Sequence, residues 1–451
     1  MPIHPAEDPP LESFGPIVPL SSLPAEPLHE GPAPWPRPSK PLHDMRTQSS
    51  PLWFGGGVFG QGMYNADSVL HSDAAVRALR LAFDYGINAL DSSPYYFPSE
   101  FVLGRALRIL APSYPRDSYF LMTKCGRYGP TRAHFDYTPE RITTSIRQSL
   151  HRLGTTYLDV ALLHDVEFVS AQPDAALTDD GWLAAAAVGR HPTIPQDDAR
   201  QTLGIAPGQA AQVRGAGDER VLAAARALFA LQDEGVIRHV GMSGYPLGEL
   251  LRLSRLIASH PPYRCVDVVL SYSCHTMHAD LLPAWQPLFE ASPWTDNEKP
   301  HEAQWTPPML LNASPFSMGL FSDRGPPAWH PASEALLQAT RAAHRDVYEA
   351  ATNTANPHID AAQVLARTAL FAGMHGSDVQ DTQPIPRLRT LLGMSNVDEV
   401  HAAIETYRIL HGDTSSPTYK QLQSYGARIR THIAQAGAQD QTWRSPPVDA
   451  D

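Results

Sequence analysis

The stretch Ala89-Leu90-Asp91-Ser92-Ser93-Pro94-Tyr95-Tyr96 joins a buried strand to a polar turn. The apolar run that begins at Ile87 ends in the carboxylate of Asp91, and the turn then presents two phenols. This combination suits proton transfer, because a tyrosine needs a nearby cation to bring its pKa down from about 10, and the cation needs a carboxylate to hold it. The next two strands end at Lys124 and His164, so groups of the required types lie at three consecutive strand ends.

An apolar strand followed by an amphipathic helix recurs along the chain. The predicted strands cover residues 52–59, 87–91, 119–124, 157–164, 236–243, 266–272, 309–314 and 388–395. The predicted helices cover residues 72–85, 100–110, 139–153, 218–233, 247–258, 279–290, 359–371 and 397–410, and a further helix covers 419–434. Apolar strands that alternate with helices indicate a parallel sheet covered by helices, and this number of units closes a (β/α)8 barrel. The sequence therefore predicts an α/β protein, a single-domain TIM barrel with long loop insertions.

Irregular segments surround and interrupt this barrel. Residues 1–50 are rich in proline and have little apolar periodicity, so they cannot offset the loss of chain entropy and are predicted to form a disordered arm. Residues 51–437 are the predicted barrel, and within them 170–217 are an insertion loop whose composition offers no core face. Because loop entropy rises slowly with length, we expect this insertion to be dispensable for folding. Residues 438–451 are predicted to form a disordered tail.

Composition excludes several classes of partner. A formal net charge of −12 argues against nucleic acid and anionic membranes, since both require a basic surface. Cys125, Cys265 and Cys274 lack metal-ligand spacing, so no metal site is predicted, and they fit a reducing compartment. We find neither a signal-peptide pattern nor an apolar stretch long enough to span a bilayer. The expectation is a cytoplasmic protein that acts on a small molecule; no oligomeric state is predicted.

Polar residues lie where the strands of such a barrel end. Asp91, Lys124, His164, Ser243 and Ser314 all stand at or just past the C-terminal end of a predicted strand. That rim is where the active sites of TIM barrels form. Taken singly, a tyrosine, lysine or histidine of this kind could be rim packing, a solvated strand end or a satisfied core residue. Their joint placement at successive strand ends favours an active site.

A glycine motif gives an alternative interpretation. Gly55, Gly57 and Gly60 spell G-x-G-x-x-G after a strand, which is typical of a Rossmann dinucleotide site. In that fold a helix begins within the motif so that its N-terminus faces the pyrophosphate. Here the next helix begins only near Ser72, after about ten more residues, so we prefer glycines that line a crowded barrel end or a cofactor face.

Six strings of sequence resemble the aldo-keto reductases. They are LDSSPYY, FLMTKCG, LDVALLHD, EGVIRHVGMSGY, NASPFSMGLFSDRGPPAWHPA and LLGMSNVDEV. The resemblance covers most of residues 52–410 apart from the insertions. The SPYY turn, the LLHDVEF string and the SPFSMGL…GPPAWHPA run are most similar to the branch that contains L-galactose dehydrogenase and D-arabinose 1-dehydrogenase.

The resemblance implies a catalytic tetrad. Tyr96 would be the general acid/base, Lys124 would lower its pKa, Asp91 would pair with Lys124, and His164 would orient the substrate oxygen. The choice of Tyr96 follows from the family's spacing from the aspartate. The spacing in this sequence alone leaves Tyr95 open, because both phenols follow the same turn.

The resemblance also implies where a nicotinamide cofactor would bind. A serine at the end of the fifth strand would bind the carboxamide, a loop after the seventh strand would hold the pyrophosphate, and residues after the eighth strand would lie near the adenosine ribose. These residues are Ser243, Ser314, Phe316, Met318, Gly319, Ser395 and Asn396. The chain departs from the family pattern at Gly244, where many relatives have asparagine, at the LSYS end of the sixth strand, where many have glutamine, and at Ala313, where an aromatic often stacks.

The activity that the resemblance implies is oxidation of the anomeric hydroxyl of an aldose to an aldono-lactone, with hydride transfer to the nicotinamide. Two alternatives remain open: reduction of an aldehyde or ketone by the same residues, and a regulatory subunit that senses nicotinamide with little turnover. NAD is preferred over NADP, because residues 393–401 contain no Arg or Lys and Asp398 and Glu399 would repel a 2′-phosphate. Arg387 and Arg389 are the basic residues that could alter this preference.

Overall fold

The computed structural model describes residues 8–29, 31, 33–170, 181–295, 299–300, 302–354, 356–375 and 388–443. Among these residues, eight parallel strands form a closed barrel in which each strand pairs with its neighbours in sequence and the last pairs with the first. The strands are β1 (Leu52–Gly55), β2 (Ala89–Asp91), β3 (Phe120–Cys125), β4 (Leu158–Leu163), β5 (Ile237–Gly244), β6 (Val268–Tyr272), β7 (Met309–Ala313) and β8 (Leu388–Gly393). The closed barrel confirms the predicted fold class.

The α-helices described lie between and after these strands. They are α1 (Met45–Gln48), α2 (Asp67–Leu70), α3 (Ala74–Asp84), α4 (Ser99–Leu110), α5 (Pro139–Leu153), α6 (Gly181–Ala187), α7 (Gln196–Leu203), α8 (Ala216–Asp233), α9 (Leu247–Ala258), α10 (Leu282–Glu290), α11 (Glu334–Asn353), α12 (Val364–Met374), α13 (Val397–Leu410) and α14 (Pro417–Gln435). Residues 56–59, predicted to extend the first strand, instead form a 3-10 turn.

Local sequence determines where the polar strand ends fall. Pro139 occupies the first position of α5, where its missing N–H leaves no hydrogen bond unmade, and Gly154 ends the helix in the left-handed conformation at φ 67°. The chain then enters β4, in which every residue is buried, as expected for a strand of a parallel barrel. As a result, His164 directly follows the C-terminal end of β4.

The interior of the barrel is filled by bulky apolar side chains. Phe120 and Met122 of β3 pack there with Leu162 of β4 and Leu311 of β7. Met45 of α1 belongs to the same cluster and is fully buried. The barrel is therefore a packed core, and its mouth is the place that remains for a site.

The N-terminal arm differs from the prediction of disorder. In its described part, Phe14 is buried against the core and Asp8 forms an ion pair with Arg152 of α5 (2.8 Å). Glu26 pairs with Arg77 of α3, and Met45 reaches the barrel interior. The arm is held by a few apolar and charged side chains that lie between its prolines. The prediction of disorder used the average composition of the arm, which does not reveal such isolated contacts. Residues 1–7 lie outside the described residues.

The insertion also differs from the prediction. Residues 181–217 contain α6, α7 and the start of α8, so this part is helical and not a loop; residues 171–180 lie outside the described residues. Leu183 is buried, Trp285 Nε1 of α10 donates to the carbonyl of Ala184 at 3.0 Å, and Arg255 of α9 donates to that of Ile205 at 2.7 Å. The alanine-rich face of α6 packs closely because its side chains are small. A sequence prediction that looks for large apolar residues does not detect a core face of this kind.

Two further regions depart from expectation. Helix α11 was not predicted; Ser333 caps it, and it packs against α14. The predicted disordered tail is ordered in its described part, because Trp443 stacks on Tyr245 and His278 with ring centroids 5.7 and 5.1 Å apart. Residues 444–451 lie outside the described residues.

Candidate active site

A cleft of about 860 Å³ opens at the C-terminal ends of the strands. All the candidate residues that the sequence predicts at strand ends and in the following loops border it. They are Asp91, Tyr96, Lys124, His164, Ser243, Ser314, Phe316, Met318, Gly319, Ser395 and Asn396. The structure thus brings the predicted set together in one continuous cleft.

The Lys124–Asp91 ion pair lies at the base of the cleft. Lys124 Nζ donates to both carboxylate oxygens of Asp91 at 2.6 Å and to the carbonyl of Ser92 at 3.0 Å. Both side chains are buried, with 1% and 2% of their surface exposed. Because the ammonium is desolvated, its charge acts strongly on any group beside it.

Tyr96 lies beside this cation. It ends the 3-10 turn Pro94–Tyr96, and Lys124 Nζ is 4.8 Å from the centroid of its ring. Burial raises the pKa of Tyr96 well above its ordinary value, and the carboxylates of Asp91 and Asp165 add to the rise. The phenol is therefore protonated in the resting protein. Gly57 also lies against this ring, since an added Cβ there would lie 3.6 Å from Tyr96 Cε2.

His164 is neutral and forms a hydrogen bond with Ser93. Burial lowers the pKa of His164 well below its ordinary value, and the charges of Lys124 and Arg127 lower it further. Ser93 Oγ accepts from the N–H of Tyr95 and lies 3.0 Å from His164 Nδ1. When the Ser93 hydroxyl donates to Nδ1, the ring proton lies on Nε2, where it can donate to a substrate oxygen.

Sequence reasoning missed a second charged cluster in the cleft. Arg127 forms a buried ion pair with Asp165, and its Nη2 donates to the Tyr95 hydroxyl at 3.0 Å. The signal was present in the sequence, since Arg127 and Asp165 closely follow the ends of β3 and β4, near Lys124 at the end of β3 and next to His164 just after β4. The position of Tyr95 against Arg127 also separates it from Tyr96, which faces Lys124.

Ser243, the residue expected to contact the nicotinamide carboxamide, is buried and borders the cleft. Its Oγ donates to the carbonyl of Leu163 at 3.3 Å and accepts from the N–H of Asp165 at 3.4 Å. The neighbouring Gly244 has a physical reason to replace the asparagine of relatives: a Cβ there would lie 2.3 Å from Glu167 Oε2. Glu167 is held in place by the N–H of Tyr245, which donates to its Oε1 at 2.9 Å.

The loop after β7 turns sharply beside the cleft. Ser314, Ser317, Met318 and Gly319 all have positive φ, between 46° and 93°. Ser314 holds the turn together, because its Oγ accepts from the N–H of Met318 at 2.6 Å and its carbonyl from that of Ser317 at 2.8 Å. The loop thus presents Phe316, Met318 and Gly319 to the cleft with a fixed backbone.

The loop after β8 forms the far end of the cleft. Asn396 caps α13 by accepting from the N–H of Glu399 at 3.0 Å, and Glu399 Oε2 accepts from the N–H and hydroxyl of Ser395 at 2.6 and 3.0 Å. Arg389 points the other way, since its Nη2 donates to the carbonyl of Arg46 at the floor of the barrel. Arg387 lies outside the described residues. Arg367 borders this end, and its Nη2 pairs with Glu405 at 2.8 Å.

The cleft fits an extended dinucleotide. It is continuous from Lys124 to Asn396, and Gly55, Gly57 and Gly319 leave parts of its wall without side chains. This agrees with the interpretation of Gly55 and Gly57 as lining a cofactor face. Among the residues that the structure describes, no group of three metal-ligating side chains is found, and no helix is long and apolar enough to cross a membrane.

The fold and a match to a family model identify the class of protein to which this chain belongs. The chain belongs to the aldo/keto reductase family, whose model matches residues 51–284, and it is therefore an oxidoreductase of a family that uses nicotinamide cofactors. D-arabinose 1-dehydrogenase of Saccharomyces cerevisiae is 29% identical over 380 residues, which are 83% of this chain and 89% of that protein. L-galactose dehydrogenase of Arabidopsis thaliana is 33% identical over 297 residues, 65% of this chain and 68% of that protein. Both belong to the branch that the sequence strings indicated.

Among solved structures, the aldo-keto reductase AKR11C1 from Bacillus halodurans in its holo form is similar at 17% identity. The match covers 88% of this chain and 94% of that one, with a TM-score of 0.48.

Proposed function

We propose that the protein is an NAD-preferring aldose 1-dehydrogenase that oxidises the anomeric hydroxyl of a sugar of the D-arabinose or L-galactose type to the aldono-lactone. The observation that carries the proposal is the buried Lys124–Asp91 pair beside Tyr96, with the neutral imidazole of His164 facing the same cleft. The names of the two similar proteins support the substrate class.

The proton steps follow from the positions of these side chains. His164 Nε2–H donates a hydrogen bond to the anomeric oxygen and orients it toward Tyr96. Because burial raises the pKa of Tyr96, only a minor fraction of it is tyrosinate; that form accepts the hydroxyl proton, and Lys124 stabilises the anion. Asp91 holds Lys124 in place through both of its carboxylate oxygens. When bound, the nicotinamide supplies the hydride acceptor for C1. Loss of the hydroxyl proton and the C1 hydride leaves a carbonyl at C1, which is the lactone.

The remaining roles in the proposal concern binding. Ser243 would contact the carboxamide, the loop from Ser314 to Gly319 would lie along the pyrophosphate, and Ser395 with Asn396 would face the adenosine ribose. Their order along the cleft, from β5 through β7 to β8, supports one extended ligand. A cytoplasmic location is part of the same proposal and rests on the three free cysteines.

The test is steady-state formation of the reduced nicotinamide by the full chain with a panel of pentoses and hexoses, using NAD and NADP in parallel. We expect turnover with at least one aldose and NAD, and none with Lys124→Met. Turnover of aldehydes alone would favour a reductase. Nicotinamide binding without turnover of either class would favour a regulatory subunit.

A further inference from the structure

A second buried ion pair borders the cleft beside the catalytic histidine. Arg127 and Asp165 are 4% and 3% exposed, and Arg127 Nη1 donates to Asp165 Oδ2. The guanidinium also lies over the ring of Tyr95, with Cζ 3.8 Å from the centroid, and its Nε donates to the carbonyl of Gly129 at 3.3 Å. These contacts fix both charges at the wall of the cleft.

The position of this pair relative to the reacting oxygen is well defined. Asp165 follows His164 directly, and its Oδ2 lies 3.7 Å from His164 Nε2, the atom assigned to the anomeric oxygen. In a sugar, the oxygen on the neighbouring carbon lies about one hydrogen-bond length from the anomeric oxygen. A sugar held by His164 can therefore bring its 2-hydroxyl within hydrogen-bond reach of Asp165.

The pair is costly to maintain, and the barrel has no evident need for it. Removing two charges from water carries a desolvation penalty that their attraction often fails to recover. Asp165 also has a left-handed backbone at φ 53°, which is uncommon for a residue other than glycine. Both residues lie outside the strands. Strain and buried charge of this kind concentrate at ligand sites.

Both side chains retain hydrogen-bonding capacity. A guanidinium has five N–H donors, and the described contacts of Arg127 use three of its nitrogens once each. Within the part of the chain that the structure describes, the side-chain contacts of the Asp165 carboxylate involve only Oδ2. A hydroxyl can donate to Oδ1 and accept from the guanidinium, whereas a carboxylate or phosphate group on the substrate would face the charge of Asp165.

We infer that Asp165 and Arg127 together bind the hydroxyl on the carbon next to the anomeric carbon, so that the enzyme requires a neutral aldose with a 2-hydroxyl. This specificity role rests on the proposed function. It makes the pair a substrate-binding element distinct from the four residues that move or orient the reacting proton.

The test compares D-arabinose with 2-deoxy-D-ribose, which is D-arabinose without its 2-hydroxyl; if another aldose is the best substrate, its 2-deoxy form is used. For the wild-type chain we expect kcat/KM to fall at least about tenfold on loss of the hydroxyl, equivalent to about 1.4 kcal/mol. The 2-hydroxyl withdraws electrons and slows hydride loss, so a decrease on the enzyme reports lost binding. Equal kcat/KM for the two sugars would overturn the inference without any variant.

Variants then assign the effect to the pair. Asp165→Asn should lower kcat/KM for D-arabinose and reduce the 2-hydroxyl factor to about threefold or less, while the Kd for NADH stays unchanged. Ser93→Ala is the matched control: it acts through His164, so it should slow both sugars equally and keep the 2-hydroxyl factor. A full 2-hydroxyl factor in a folded Asp165→Asn enzyme would overturn the inference, and Arg127→Lys provides the same test if that variant does not fold. Absence of turnover with every aldose would instead overturn the proposed function.

Discussion

The side chain of Lys124 is almost fully buried at the base of the cleft, with 1% of its surface exposed. Burying an ammonium costs several kcal/mol unless partners replace its hydration. Asp91 supplies two carboxylate oxygens at 2.6 Å and Ser92 a carbonyl at 3.0 Å, so the three protons of the ammonium are satisfied on one side. Lys124 therefore acts on Tyr96 through its charge, with Nζ 4.8 Å from the ring centroid, while its protons are held by Asp91 and Ser92.

Replacement of Tyr96 by phenylalanine tests the central assignment. Because the proposed role of the phenol is proton transfer and not cofactor binding, Tyr96→Phe should lower kcat by about 10²- to 10⁴-fold and leave the Kd for NADH nearly unchanged. Tyr95→Phe is the matched control, since its hydroxyl contacts Arg127, and it should keep most of kcat. Steady-state rates and a fluorescence titration with NADH measure both effects. Activity lost in the Tyr95 variant and kept in the Tyr96 variant would reverse the assignment.

The pH dependence of sugar oxidation follows from two shifted pKa values. Burial raises the pKa of Tyr96, so the tyrosinate fraction, and with it kcat/KM, should rise about tenfold per pH unit below that pKa. Burial and two neighbouring cations lower the pKa of His164, so it stays neutral and contributes no inflection near pH 6.5. A pH profile of kcat/KM with D-arabinose measures both. An inflection near pH 6.5 that disappears in His164→Gln would contradict the neutral imidazole.

Much of this site could be predicted from the sequence, because the ends of the strands can be recognised where an apolar run gives way to polar residues. Lys124 and His164 follow buried apolar runs, and a parallel barrel brings such ends to one rim. The same rule applied to Arg127 and Asp165 would have found the second pair. The sequence does not explain why glycine occupies position 244, because the explanation depends on the side chain of Glu167, which reaches this position from another loop. The shifted pKa values were likewise inaccessible, since they depend on burial in three dimensions.

At the scale of elements, prediction failed where the partner of a helix lies far away in sequence. The buried positions of α11 (Leu336, Ala339, Ala343 and Val347) follow helical spacing, so the signal was present, but their partner α14 lies some 70 residues downstream. The faces of α6 and α7 consist largely of alanine and isolated leucines. Leu203 of α7, for example, packs so closely on α9 that a Cβ at Gly248 would lie 2.8 Å from it.

The insertion can be tested by two neighbouring residues of α6. Leu183→Ala should lower the free energy of unfolding by about 2–5 kcal/mol, because Leu183 is 7% exposed and packs in the main core. Trp182→Ala should change it by less than about 0.5 kcal/mol, because that side chain is 55% exposed. Urea titrations of both variants provide the comparison. Equal stability of the two variants would restore the view that the insertion is dispensable for folding.

At the scale of the whole molecule, the described segments on either side of the barrel pack onto it. The arm contributes Met45 to the interior cluster, and at the other end Trp443 stacks on His278, whose Nδ1 lies 3.0 Å from Ser317 Oγ in the loop after β7. The cleft is therefore supported by segments outside the barrel as well as by the strands themselves. Its far end is lined in part by α12 and α13, which contribute Arg367, Asp398 and Glu399.

Those charges determine the expected preference for NAD. A 2′-phosphate on the adenosine ribose is a dianion and needs basic partners. Asp398 and Glu399 border the far end of the cleft, Arg389 is directed to the barrel floor, and the charge of Arg367 is offset by Glu405. With one sugar, kcat/KM for NAD should exceed that for NADP by about tenfold or more.

Substitution at Asp398 locates the origin of this preference. Asp398→Asn removes a repulsive charge and should narrow the NAD to NADP ratio, and Asp398→Arg, which adds an attractive one, should narrow it further. Because Asp398 lies in the first turn of α13, both variants lose a favourable interaction with the helix N-terminus, so their free energies of unfolding are measured alongside. A wild-type preference for NADP, unchanged in both variants, would mean that Arg367 or Arg324, which also borders the cleft, leaves its present position to bind the phosphate.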